Sequence, residues 1–171
     1  DWWGGRWAED FDRAANDGHN ALRLSVEWAR IEPKMGQFDD AALDHYRQMV
    51  AGLRARGLKP LVTLHHFVNP LWLADTKRNG WEHPDVVERF ANYVRRVVTA
   101  LKDHVDLWAT INEPNVYMVS GWLMGTYPPG KKQMAATFNT ALNLLRAHAA
   151  AYRVIHELQP HAQVGLPIHF R

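Results

Sequence analysis

The sequence predicts an α/β fold in which four parallel strands alternate with helices, and three observations predict it. Short apolar or alternating runs of strand type recur four times along the 171 residues. Each is separated from the next by a full helical pattern, and a parallel neighbour requires such a crossover. Polar and ionisable side chains collect just beyond the C-terminal ends of these runs, while the helices carry the usual apolar stripes.

Trp7 to Asp17 is a polar helix with Phe11, Ala14 and Ala15 on one side, ended by Gly18. Ala21 to Val26 alternates in the manner of a strand. Pro33 and Gly36 mark the next loop, and Asp39 or Asp40 caps a helix with apolar positions Leu43, Tyr46, Val50 and Leu53, stopped by Gly57. Lys59 to Leu64 is a buried strand leading into His65, His66 and Phe67. Pro70 to Gly80 is an irregular excursion with one helical turn. Pro84 opens the helix carrying Val86, Phe90, Val94, Val97 and Leu101. Val105 to Ile111 is the third strand. Lys132 to Leu158 is a long helix with Met134, Phe138, Leu142, Leu145, Ala149, Tyr152 and Ile155 facing inward, broken by Pro160. Val164 to Phe170 is the last strand.

Composition narrows the function classes. With 47% hydrophobic and 22% charged residues the chain is an ordinary globular one with material for a sizeable core. The net charge is only +2, and the basic residues are scattered, so a nucleic-acid partner is disfavoured. There is no cysteine, which removes disulfides and thiol chemistry and agrees with a cytoplasmic setting. No apolar run is long enough to span a membrane. The N-terminus lacks a signal layout and an initiator methionine, so it reads as truncated. Eight tryptophans supply flat faces suited to sugars or to the core.

Four parallel strands suit either a doubly wound sheet or part of a (β/α)8 barrel. The loops favour the barrel. Ser25, Glu27 and Trp28 mark the end of the first strand, with Arg23 inside it, His65, His66 and Phe67 the second, and Asn112 and Glu113 the third. In a barrel such strand ends converge on one face, where active sites are built. A dinucleotide or nucleotide site would want a glycine-rich turn after the first strand, and neither GxGxxG nor a P-loop is present.

The run Ala21 to Ile31 resembles the "YRFSISWSRI" strand of glycoside hydrolase family 1, the β-glucosidase family. Thr63 to Pro70 is similar to its "TLYHWDLP", Gly80-Trp81 to its "GGW", and Thr110 to Asn115 to its "TLNEPN". Gly125 to Gly130 (GTYPPG) is similar to the loop that follows. The five matches cover nearly the whole chain in order. The resemblance implies that residues 1–171 hold barrel strands two to five of a retaining β-glycosidase. It also implies that the nucleophile belongs to a later "TENG" segment with no counterpart here, so the expectation is an incomplete enzyme.

Retaining glycosidases use two carboxyl groups about 5 Å apart, one as nucleophile and one as acid, then base. The resemblance gives Glu113 the acid/base role, which calls for a raised pKa. It gives Asn112 a hydrogen bond to the sugar 2-hydroxyl and His66 the glycone hydroxyls. Phe67 stands where the quoted pattern has tryptophan, so an apolar face remains and an N–H is lost. Arg23 is implied to hold the nucleophile ionised, with pairing to Glu113 itself as the alternative. His65 and Trp81 read as structural, Trp28 as packing beneath the site, and Trp122 and Tyr127 as bordering the leaving-group side.

Adjacent strand residues point apart, so His65 and His66 do not chelate one ion. No metal and no cofactor is implied. The expected partners are a β-glycoside substrate and either the remainder of the barrel or a self-associated copy. The rival reading is a catalytically inactive half-barrel that binds sugar or assembles through its open sheet edges.

Overall fold

The structure is a computed structural model that describes residues 1–74 and 80–170. Its elements follow in order: α1 (Trp7–Asn16), β1 (Ala21–Ser25), α2 (Trp28–Ile31), α3 (Asp40–Ala55), β2 (Lys59–His65) and α4 (Leu71–Ala74). A single 3-10 turn (Gly80–Glu82) leads to α5 (Val86–Leu101), β3 (Leu107–Ile111) and α6 (Pro114–Met118). A π-helical turn (Val119–Leu123), α7 (Met134–Leu158) and β4 (Gln163–Gly165) complete the described chain. Of the expected excursion from Pro70 to Gly80, α4 supplies the helical turn, and residues 75–79 lie outside the described residues.

The sheet resolves the choice left open by the periodicity. All three neighbouring pairs are parallel, and the strand order is β1-β2-β3-β4. A doubly wound sheet reverses its order at a switch point, whereas a barrel advances one neighbour at a time. Here the order never reverses. One row of the register runs Ser25, Thr63, Ala109 and Gly165 across the four strands.

Local chemistry explains the boundaries. Asp39 caps α3 by accepting from the Ala42 N–H at 3.0 Å. Gly57 ends the connection at φ +75°, a conformation that costs glycine nothing. Pro84 sits in the turn just ahead of α5, with its carbonyl accepting from Val87 N–H, rather than inside the helix. The expected stripe of α5 is fully buried, and Val94, Val97 and Leu101 are 0% exposed.

Two expectations fail. The stripe of α7 that was to face inward is largely outside: Met134, Phe138, Leu142, Leu145 and Tyr152 are 44–67% exposed. Only Ile155 of that set is buried, and Ala149 is half-buried. The helix turns its small residues inward instead, with Ala136, Thr140, Ala147 and Ala151 set against the rest of the fold. Short side chains permit a close approach to α5 and β3, and nothing among the described residues covers the larger ones. The last strand is also short. β4 ends at Gly165 instead of reaching Phe170, because Pro167 has no N–H to continue the ladder.

The core lies between the sheet and the helices and is rich in aromatics. Trp28 stacks on Tyr93 with centroids 5.0 Å apart and meets Trp72 edge-on. Its indole N–H donates to the buried Glu32 carboxylate at 2.7 Å. Trp28 therefore packs beneath the strand ends, as expected.

Candidate active site

The C-terminal ends of β1, β2 and β3 bring the predicted residues to one side of the sheet. Arg23 extends from β1 and donates from Nε to Thr63 Oγ1 at 2.8 Å and from Nη2 to Asn112 Oδ1. Its partners are a hydroxyl and an amide, so the alternative pairing with Glu113 is not what the structure shows. Asn112 is 4% exposed, and its backbone N–H donates to the His65 carbonyl at 2.8 Å.

His65 and His66 point apart, as adjacent residues at a strand end should. His66 is exposed and shares a 2.9 Å hydrogen bond between Nδ1 and Ser25 Oγ, leaving Nε2 as its outer nitrogen. Partial burial and the Arg23 guanidinium hold its imidazole below the usual range, while Glu113 works in the other direction. His65 is buried among Trp81, Phe90 and Tyr117. Its Nε2 meets Asn69 Oδ1 at 3.0 Å, and its Nδ1 has no partner. Burial lowers its pKa from 6.5 to about 4, so it is a neutral structural ring.

Among the described residues, Phe67 and Glu113 are the non-glycine residues with positive φ, at +66° and +42°. Phe67 is the centre of a tight turn closed by Val68 N–H to the His66 carbonyl at 2.8 Å. Its ring stacks on Tyr117 with centroids 5.6 Å apart and planes 13° from parallel. Glu113 adopts the left-handed conformation as the cap of α6, and its N–H donates to the Pro167 carbonyl at 2.9 Å. Such conformations cost on the order of 1–3 kcal/mol and gather at functional sites. The left-handed residue breaks the strand's alternation between the consecutive side chains Asn112 and Glu113.

A cavity of about 560 Å³ opens beside Glu113, lined by Val116, Val119, Ser120, Tyr127 and His169 among others. His169 Nδ1 lies 3.7 Å from Glu113 Oε1. The backbone of His169 is tied to the Asn115 amide, which donates to its carbonyl at 2.8 Å. Sequence reasoning missed His169, although it follows the fourth strand just as the other site residues follow theirs. It also missed Ser25 as the partner of His66 and Thr63 as the partner of Arg23.

Tyr127 is 45% exposed and borders this cavity. Trp122 does not. It is 3% exposed, and its indole N–H donates to Glu82 Oε1 at 2.8 Å, where Lys131 also pairs. Trp81 anchors its loop, donating to Asn69 Oδ1 at 2.9 Å and accepting from Asn143 at its carbonyl. Among the described residues, no group of three or more acidic or histidine side chains is arranged to hold a metal ion. No described helix is long and apolar enough to cross a membrane.

Known proteins resemble this chain in sequence and fold. Residues 4–171 match the model of the family described as glycosyl hydrolase family 1. A 1,4-β-D-glucan glucohydrolase of Thermotoga neapolitana is 34% identical over 162 residues, 94% of this chain and 38% of that protein. A β-glucosidase from Thermotoga maritima solved with castanospermine superposes with a TM-score of 0.90 at 34% identity, over 95% of this chain and 37% of that one. A β-glycosidase from Pyrococcus horikoshii gives 0.86 at 36% identity. The four strands and their helices correspond to part of the (β/α)8 barrel of these structures. The chain spans little more than a third of the length of the relatives it matches.

Proposed function

The chain belongs to glycosyl hydrolase family 1, and from that premise we propose that it carries the acid/base half of a retaining β-glycosidase acting on terminal β-linked sugars. The single observation that supports this best is Glu113, held in a left-handed conformation at the end of β3 with a cavity beside its carboxyl group. Asn112 and His66 flank it from β3 and β2 and would contact the sugar. Phe67, stacked on Tyr117, would supply an apolar wall. The names of the relatives, a glucohydrolase and β-glucosidases among them, agree with a β-glucoside as substrate.

In this reading Glu113 donates its proton to the glycosidic oxygen as the bond to the anomeric carbon breaks. A second carboxylate attacks that carbon from the opposite face, and we place it in a segment beyond these 171 residues. Glu113 then takes a proton from the water that releases the sugar, restoring both groups. Residues 1–171 would form one partial barrel within the complete catalytic domain.

The test uses the active glycosidase that contains these residues. Glu113→Gln should lower kcat/KM on alkyl glucosides by about 10²–10⁴, the usual worth of a positioned acid. On glucosides whose leaving group departs without protonation the loss in the first step should be far smaller. Equal losses on both would remove Glu113 from the acid role.

The open edge of β4 and the bare outer stripe of α7 favour a second reading, an assembly module that turns nothing over alone. Assaying the chain with and without the complementary barrel segment separates the two. Turnover restored by the complement supports the enzyme, and inactivity of a correctly assembled complex supports the module.

A further inference from the structure

We infer that the cavity between the Gly80–Glu82 turn and the loop ahead of α7 is a second binding site, for a neutral single-ring molecule that carries one hydroxyl donor. The inference goes beyond the glycosidase reading and does not depend on it.

The walls of this cavity are aromatic and apolar: Leu73, Trp81, Tyr117, Trp122, Pro128 and Pro129. It shares no described lining residue with the cavity beside Glu113. α6 and the π-helical turn divide the two. Val116, Val119 and Ser120 line the Glu113 side, and Tyr117 and Trp122 line this one.

Size sets the first limit on a ligand. One water needs about 10–15 Å³, and an enclosed apolar cavity of about 150 Å³ takes up benzene. This cavity measures about 80 Å³ and is open on one side. One ring therefore enters with its far edge outside, and a fused pair of rings does not fit. Charge sets the second limit. Glu82 and Lys131 both line the cavity and pair at 2.6 Å, with side chains only 12% and 24% exposed. A cation would be repelled by Lys131 and an anion by Glu82, so the ligand is neutral.

Hydrogen bonding sets the third. Glu82 Oε1 accepts from Lys131 Nζ and from the Trp122 indole N–H, the latter at 2.8 Å. Among the described residues Oε2 has no hydrogen-bond partner. Asn69, also in the lining, is already engaged: its Oδ1 accepts from Trp81 at 2.9 Å and meets His65 at 3.0 Å, and its Nδ2 donates to Tyr117. The open acceptor is thus a carboxylate oxygen on a nearly buried side chain, where a donor is worth more than in water. A ring hydroxyl supplies that donor while the ring lies against the aromatic walls.

The test titrates the 171-residue chain with phenol and with anisole, which keeps the ring and lacks the donor. The indole N–H signals of Trp81 and Trp122 are followed by NMR. Both should shift saturably, with phenol binding about tenfold more tightly than anisole, the scale of one hydrogen bond to a charged group. Glu82→Gln should erase most of that advantage. Ala74 is exposed and lines the cavity, so Ala74→Trp blocks it without touching the core and should abolish phenol binding. The larger 2-naphthol should leave both signals in place. The inference is overturned by no saturable shift with phenol, by equal affinity for phenol and anisole, or by undiminished binding in Ala74→Trp. An unchanged phenol advantage in Glu82→Gln, or 2-naphthol binding as tight as that of phenol, overturns it equally.

Discussion

Glu113 owes its placement to a backbone state that few residues adopt. At φ +42° it interrupts β3 immediately after the buried Asn112, and Pro114 then fixes the first turn of α6. The motif Asn-Glu-Pro names the residues, yet nothing in periodicity announces a left-handed carboxylate. Its carboxyl group faces His169 at 3.7 Å, a neighbour 56 positions away that only the fold brings close. His65 shows the opposite case, a histidine whose role is purely structural. Its pKa of about 4 lies below the usual 6.5, so the unfolded chain binds a proton that the folded chain refuses. Stability from this group is complete above about pH 6.5 and is lost as the pH falls toward 4. The loss amounts to about 3 kcal/mol on the usual linkage relation. Urea titrations between pH 7 and pH 4 should show that decline, and His65→Phe should flatten it. A variant with the parent's acid sensitivity would mean that the ring ionises without cost where it sits.

Elements were most legible where their residues face the core on one side only. The stripes of α3 and α5, the cap at Asp39 and the stops at Gly18 and Gly57 all follow from spacing and turn chemistry. α7 was misread because it carries two usable faces. Its large side chains repeat every three or four residues, which is the pattern of a buried stripe. Its small residues form a second stripe that packs more closely, and that face won. Phe138 is 67% and Leu145 56% exposed, an apolar surface of the kind that drives association. The chain should therefore self-associate with rising concentration in sedimentation experiments, and Phe138→Glu with Leu145→Lys should shift it toward monomer. If the double variant associates as strongly as the parent, this face is not the contact.

At the scale of the molecule, the sequence pattern specified parallel strands but not their order. Order is a property of the assembled sheet: each local pattern fits a doubly wound sheet as well as a barrel. The succession β1-β2-β3-β4 decides for the barrel, and β-glycosidase structures superpose over 94–95% of the chain. The motifs pointed to the candidate site residues by position: His66, Phe67, Asn112 and Glu113 lie just at or past the ends of β2 and β3, and Arg23 sits within β1. The contacts among them were not legible, since Arg23 to Asn112 spans 89 residues of sequence. The central claim is that Glu113 supplies and recovers the proton of a retaining reaction. Its most direct test is to treat a Glu113→Ala glycosidase with an activated β-glucoside in the presence of azide. A small anion enters the space of the lost carboxylate and needs no general base. The account predicts that azide restores turnover and that the product is a glucosyl azide of β configuration. No rescue, or an azide product of α configuration, would contradict it.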